Sequence, residues 1–197
     1  MSRRDRQALQ FRIGLLGILP MIWRRILVPA DYTFWDFHVA IQDAMGWTDS
    51  HLHAFRVTNR ETRHEDLVGI PDDEGEMPAT LPGSEIPIQK YLDYYNPLCL
   101  YEYDFGDSWL HEVVLEAYVT TSKKVPVCLA GERACPPEDV GGVPGYENFL
   151  AVIKNPNHEE HESMLEWVGG SFDPEAFDPK QVSFDSPKER WRLAFER

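Results

Sequence analysis

The sequence predicts an α+β fold: a β-grasp-like roll of β-hairpin, helix and mixed sheet, with extra C-terminal helices. Three observations carry this. Strand-period alternation opens the chain, a well-capped helical segment follows, and three further strand-period runs come before the C-terminal helical patterns. Strands and helices that segregate along a chain in this way mark α+β architecture.

The elements follow in order. Leu9, Phe11, Ile13 and Leu15 alternate with Gln10, Arg12 and Gly14, which reads as a half-buried strand. "GILP" (17–20) breaks the run, and "MIWRRILV" (21–28) reads as its hairpin partner, closed by Pro29. Thr33 suits a helix N-cap, and Asp36 sits in the first turn, where the helix dipole favours negative charge. Phe34, Phe37, Ile41 and Met45 recur at helical spacing, and Gly46 suits the C-terminal cap. "HLHAFRV" (51–57) alternates as a third strand, with His51, His53, Phe55 and Val57 on one side.

Residues 59–97 are rich in Pro, Gly and acids, so 59–87 reads as a long mobile loop, with a short helix at 88–95. Strands are expected at about 98–105 and 108–119 around Gly106-Asp107, and a Gly/Pro-rich loop at 127–146. Helices follow at about 146–154 and 159–168, and after the cap-and-proline pair Ser186-Pro187. The 197 residues suit one domain with a helical C-terminal part, 146–197.

Composition narrows the function classes. The chain is 43% hydrophobic and 12% aromatic, enough for a substantial core. Its net charge of −14 repels phosphate backbones, so bulk nucleic-acid binding is not expected. Local basic spots stand at Arg3-Arg4-Asp5-Arg6 and Arg24-Arg25. Three cysteines cannot all pair, which argues against a secreted disulfide scaffold. The apolar stretch 13–23 is too short to span a bilayer and has no cleavage-site pattern, so the chain is expected in the cytoplasm.

Several segments carry candidate chemistry. If Gly106-Asp107 is a two-residue turn, Glu102, Asp104, Trp109 and His111 share a sheet face, while Tyr101, Tyr103, Phe105, Leu110 and Val114 form the core face. Carboxylates beside a histidine raise its pKa and suit acid–base work or a metal. The alternative is a turn braced by Asp104 or Asp107. His51 and His53, two apart on a strand, can address one divalent metal together with Asp104 or His111. Without such a companion, His-x-His is one buried and one half-exposed histidine.

Cys128 and Cys135 stand six residues apart, wider than a zinc-ribbon pair. They read as reduced thiols, with a zinc site or a disulfide as alternatives. In "PPEDVGG", Glu138 and Asp139 lie on a turn stiffened by two prolines and are candidate catalytic bases, as is Asp107; an ordinary turn is the other reading. "EEHESMLEW" (159–167) reads as a solvated acidic helix face packed through Met164, Leu165 and Trp167. No nucleophile elbow, phosphate-binding loop or dinucleotide fingerprint occurs, so no cofactor of those classes is implied.

"PMIWRRILVP" (20–29), "GWTDSHLHAF" (46–55), "YEYDFGDSWLHEVVLE" (101–116) and "CPPEDVGGVPGY" (135–146) resemble the plasmid pRiA4b ORF-3-like family, and "FDPEAFD" (172–178) fits its C-terminal part. The resemblance spans nearly the whole chain in order. Val140 stands where many relatives place a second cysteine of the "CPPED" motif. The resemblance implies no biochemical activity. Some relatives carry the label of an insertion-element passenger, which implies an accessory role in mobile-element recombination.

The leading expectation is therefore an intracellular binding or adaptor domain with a protein partner. The rival is a metal-dependent hydrolase or nuclease-like enzyme, with His51, His53, Asp104 and His111 as ligands and Glu138 or Asp139 as base.

Overall fold

The computed structural model describes residues 6–71, 79–122 and 125–196 of the chain. Residues 3–5 of the N-terminal basic run and 72–78 of the expected loop lie outside the described residues.

Alternation builds the centre of the sheet. β1 (Arg6–Leu15) buries Leu9, Phe11, Ile13 and Leu15 on one face. β2 (Trp23–Pro29) pairs with it as the expected hairpin, and β7 (Trp109–Thr121) flanks its other edge. β6 (Leu98–Tyr103), β3 (His53–Thr58), β4 (Glu65–Gly69) and β5 (Thr80–Pro82) extend the sheet beyond β7. β8 (Val127–Glu132) closes the β2 side. The order is β5-β4-β3-β6-β7-β1-β2-β8. β4 and β5 run parallel, and every other neighbouring pair is antiparallel. The architecture is α+β on one mixed sheet, with eight strands among the described residues rather than the five expected.

α1 (Phe34–Met45) crosses one face. Thr33 Oγ1 accepts from the Asp36 amide and the Asp36 carboxylate accepts from the Thr33 amide, a reciprocal capping box. Gly46, at φ 101°, ends the helix in the left-handed region. Phe34, Phe37, Ile41 and Met45 enter the core as their spacing predicts, with the Phe37 ring 4.4 Å from Phe11. His38 is buried on the sheet side of α1 and Trp35 on its outer side, with Asp43 beside it. The C-terminal segment covers Trp35 and Asp43. α2 (Gly142–Lys154) packs on α3 (His161–Trp167), the chain returns through 168–186, and α4 (Pro187–Phe195) lies on α1.

The other sheet face is polar. Arg12–Glu112, Arg25–Glu116 and Arg56–Glu102 pair across it. A bulge in β7 opposite Gln10 and Phe11 lets Glu116 take both Arg25 and Gln10. Such exposed pairs add little stability each, about 0–1 kcal/mol.

Four local expectations change. The 59–87 loop contains β4 and β5, whose shortness hid them at the sheet edge. Residues 88–95 hold a single 3-10 turn, Ile88–Lys90, not a longer helix. The 127–146 loop starts as β8. Its alternation is interrupted by Gly131, where a Cβ would collide with Phe177, the Trp23 carbonyl and the Arg24 side chain. The β6–β7 connection is a five-residue loop, 104–108, not a turn at Gly106-Asp107. Tyr103 therefore faces Trp109 and Tyr101 faces His111. An odd shift of register reverses parity. Tyr101, Tyr103, Trp109 and His111 share the buried face, whereas Glu102 and Leu110 look out on the other.

Candidate functional site

Three segments that stood out in the sequence meet at one end of the sheet. The first is the turn after α1. Trp47 folds inward against Tyr103, Trp109 and His111, and its indole N–H donates to the Pro136 carbonyl at 3.0 Å. The second is the 104–108 loop. Asp104 and Ser108 both take left-handed backbone, with φ near 55° and 52°. The Asp104 carboxylate accepts from the Gly106 amide at 2.9 Å, its carbonyl accepts from the Ser108 amide, and its own amide donates to the Leu52 carbonyl. The third is the 135–142 loop.

Most polar groups at this crest are committed to one another. The Glu138 carboxylate accepts from the Thr48 amide at 2.7 Å, from the Thr48 hydroxyl and from Tyr103 Oη. Tyr103 Oη in turn accepts from the Ser50 amide. Asp107 accepts from the Gly141 amide at 3.0 Å, just before the first turn of α2. Gly142, at φ 67°, has to be glycine, because a Cβ would strike the Asp107 carbonyl.

His51, Asp104 and Asp139 remain. His51 Nε2 lies 3.0 Å from Asp139 Oδ1 and 3.7 Å from Asp104 Oδ2. Neither oxygen lies in hydrogen-bonding alignment, and Nε2 is a buried polar atom without a hydrogen-bond partner. The Asp139 side chain is 70% exposed, so the seat opens to solvent. One histidine nitrogen and two carboxylates, with ligand atoms within 4.8 Å of one another, form a donor set for a divalent cation.

The other candidates fall elsewhere. His51 precedes β3, which begins at His53, so the two histidines do not share a strand face. The chain is still turning at 49–52, as Asp49 at φ 59° shows. His111 lies beneath the crest, wholly buried, with Nδ1 3.2 Å from the Tyr101 carbonyl; burial lowers its pKa to about 4. Glu102 pairs with Arg56 on the opposite sheet face. Cys99, Cys128 and Cys135 are free thiols, and burial pushes each thiol pKa up.

His53 belongs to a second cluster that sequence reasoning missed. Its ring stacks on His38 at 3.4 Å, with 6° between the planes. A closed hydrogen-bond ring runs through His38. The Asp49 amide donates to Gln42 Oε1, Gln42 Nε2 donates to Tyr101 Oη, and Tyr101 Oη lies 2.8 Å from His38 Nδ1. His38 Nε2 lies 2.6 Å from Asp49 Oδ1, so the network assigns the proton to Nε2. Burial, and then the Arg190 charge, holds His38 well below its usual pKa; burial and then His38 do the same for His53. Burial pushes Asp49 up to about 6, against the pull of His53 and Arg190. Stacked rings hold their nitrogen lone pairs in parallel planes, so this cluster does not suit one metal ion as folded. The available signal was His38 and Gln42, four apart on the packing side of α1.

The comparisons with known proteins bear on the family and the fold. The chain is 34% identical over 164 residues to a Sinorhizobium fredii protein named "Uncharacterized protein y4hQ", covering 82% of this chain and 81% of that one. A crystal structure titled as a protein of unknown function, MM3350 from Methanosarcina mazei Go1, matches with a TM-score of 0.84 and 43% identity, covering 92% of this chain and 100% of that one. Neither name states an activity. The family model described as "Plasmid pRiA4b ORF-3-like protein" matches residues 7–181, and the chain belongs to that family.

Proposed function

We propose that the protein is an intracellular binding domain whose crest seats a divalent cation on His51, Asp104 and Asp139 and presents it to a partner protein. The observation that carries this reading is the orphaned His51 Nε2, buried between two carboxylate oxygens that it does not hydrogen-bond. An ion held there by three protein groups keeps coordination positions open for a group from a partner. The hydrolase reading is weaker because, among the described residues, the candidate bases are engaged: Asp139 lines the seat itself. Glu138 braces Thr48 and Tyr103, and Asp107 holds the start of α2. The recombination role rests on the label of relatives alone. Among the described residues no helix is long and apolar enough to cross a membrane.

The test is titration of metal-stripped protein, made without a His tag, with Zn²⁺ and Mn²⁺ by calorimetry. One ion is expected to bind per chain, with His51→Ala and Asp104→Asn each weakening it by about tenfold or more. Uptake below about a tenth of an equivalent at roughly micromolar free metal sinks the reading.

A further inference from the structure

Beside the crest, on the outer side of α1, lies a groove of unusual composition. Its floor is Trp35, and its flanks are the carboxylates of Asp43 and Asp49, both nearly buried. α4 fills it. Arg190 reaches Asp43 at 2.7 Å and Asp49 at 3.9 Å, and also pairs with Asp185. The Trp191 ring meets Trp35 edge-on at 5.1 Å, and Phe195 lies 5.7 Å from Trp35. The Trp35 indole N–H donates to the Pro187 carbonyl, and the Asp185 amide donates to Asp43.

Three features mark α4 as an occupant rather than a fixed part of the core. It has nine residues and none is buried, although it covers buried groups. A helix that short is marginal on its own and depends on its docking contacts. It also lies beyond residues 7–181, the span matched by the family model, whereas Trp35, Asp43 and Asp49 lie within that span. The groove binds α4 by one guanidinium set between two desolvated carboxylates and by aromatic edges on an indole, a combination selective for Arg over Lys.

We propose that this groove is a docking site for a helical segment bearing the pattern Arg-Trp-x-x-x-Phe, and that α4 is its intramolecular occupant, displaced when a partner offers the same face. The proposal is independent of the cation seat, although one turn serves both: Asp49 faces the groove and His51 faces the crest. A segment of that chemistry hydrogen-bonds Asp43 and sets its charge 3.9 Å from Asp49. An apolar helix without the arginine leaves both desolvated carboxylates without a cation.

The test uses full-length protein and a fluorescein-labelled peptide with the sequence of residues 184–197. In an Arg190→Ala/Trp191→Ala variant the resident helix loses its anchors. The peptide is expected to bind this variant at least about tenfold more tightly than wild type, and adding Asp43→Asn should undo about tenfold of that gain. Amide exchange in the wild type should show residues 188–195 exchanging at least about a hundredfold faster than β1 and β7. The proposal is overturned by equal peptide affinity for wild type and variant, or by no binding to a variant that keeps the wild-type circular dichroism. Core-like protection of α4 overturns it too.

Discussion

Replacing Arg24 by Ala is expected to remove about 3 kcal/mol of stability or more, since each buried carbonyl left without a donor costs about 1–3 kcal/mol. Arg24 is 1% exposed, and no carboxylate is among its hydrogen-bond partners. Its guanidinium is satisfied by four backbone carbonyls, those of Trp23, Ala44, Glu132 and Arg133, at 2.8–2.9 Å. The Phe177 ring lies over it at 3.7 Å. One side chain thus joins β2, the C-terminus of α1, the end of β8 and the returning C-terminal segment. Ala strands the carbonyls and opens a cavity at the junction of all four. Lys keeps the charge but cannot span four acceptors in a plane, so Arg24→Lys should fall between. Urea unfolding of the three proteins checks this. A loss below about 1 kcal/mol for Arg24→Ala would mean that water replaces the guanidinium at little cost.

Acid should destabilise the fold well above the range in which ordinary carboxylates titrate. His38, His53 and His111 are buried and held neutral, with their folded-state pKa below the unfolded value of 6.5. A lowered pKa means that the unfolded chain takes up protons first. The stability they allow is therefore present above pH 6.5 and is lost as the pH falls toward the folded value. For His111 the window runs from 6.5 to about 4, worth about 3 kcal/mol by the usual conversion. Asp49 works in the opposite direction. Its raised value, about 6, favours the fold below its unfolded pKa and loses that contribution as pH rises through 6. Three histidines against two aspartates, Asp49 and Asp43, whose carboxyl burial also raises, leave a net loss on acidification. The check is urea unfolding at several pH values between 7.5 and 4, for wild type and His111→Phe. The variant should lose about 3 kcal/mol less across the window. Parallel profiles would remove His111 from the account.

The candidate site was legible in its parts and not in its assembly. His51, Asp104 and Asp139 all stood out, each in a different motif, and the fold brings them together. Their expected companions His53 and His111 went elsewhere, because both side chains belong to the buried face of the sheet. Glu138 and Asp107 stand beside the seat but are spent on amides and hydroxyls.

What the sequence by itself determined was whatever depends on neighbours within a turn or two. The alternation of Leu9 to Leu15, the Thr33–Asp36 capping box, the Gly46 stop and the Ser186-Pro187 start all appear where local chemistry placed them. Tertiary structure decided the rest, because those choices are made by groups distant in the chain. The 104–108 loop takes five residues where Asp104 bonds to Leu52 and Asp107 to Gly141, and that length sets which way every side chain of β7 points. Whether a histidine faces a carboxylate or another histidine then follows from pairing across the fold: His51 with Asp139, and His53 with His38. No periodicity along the chain encodes those separations.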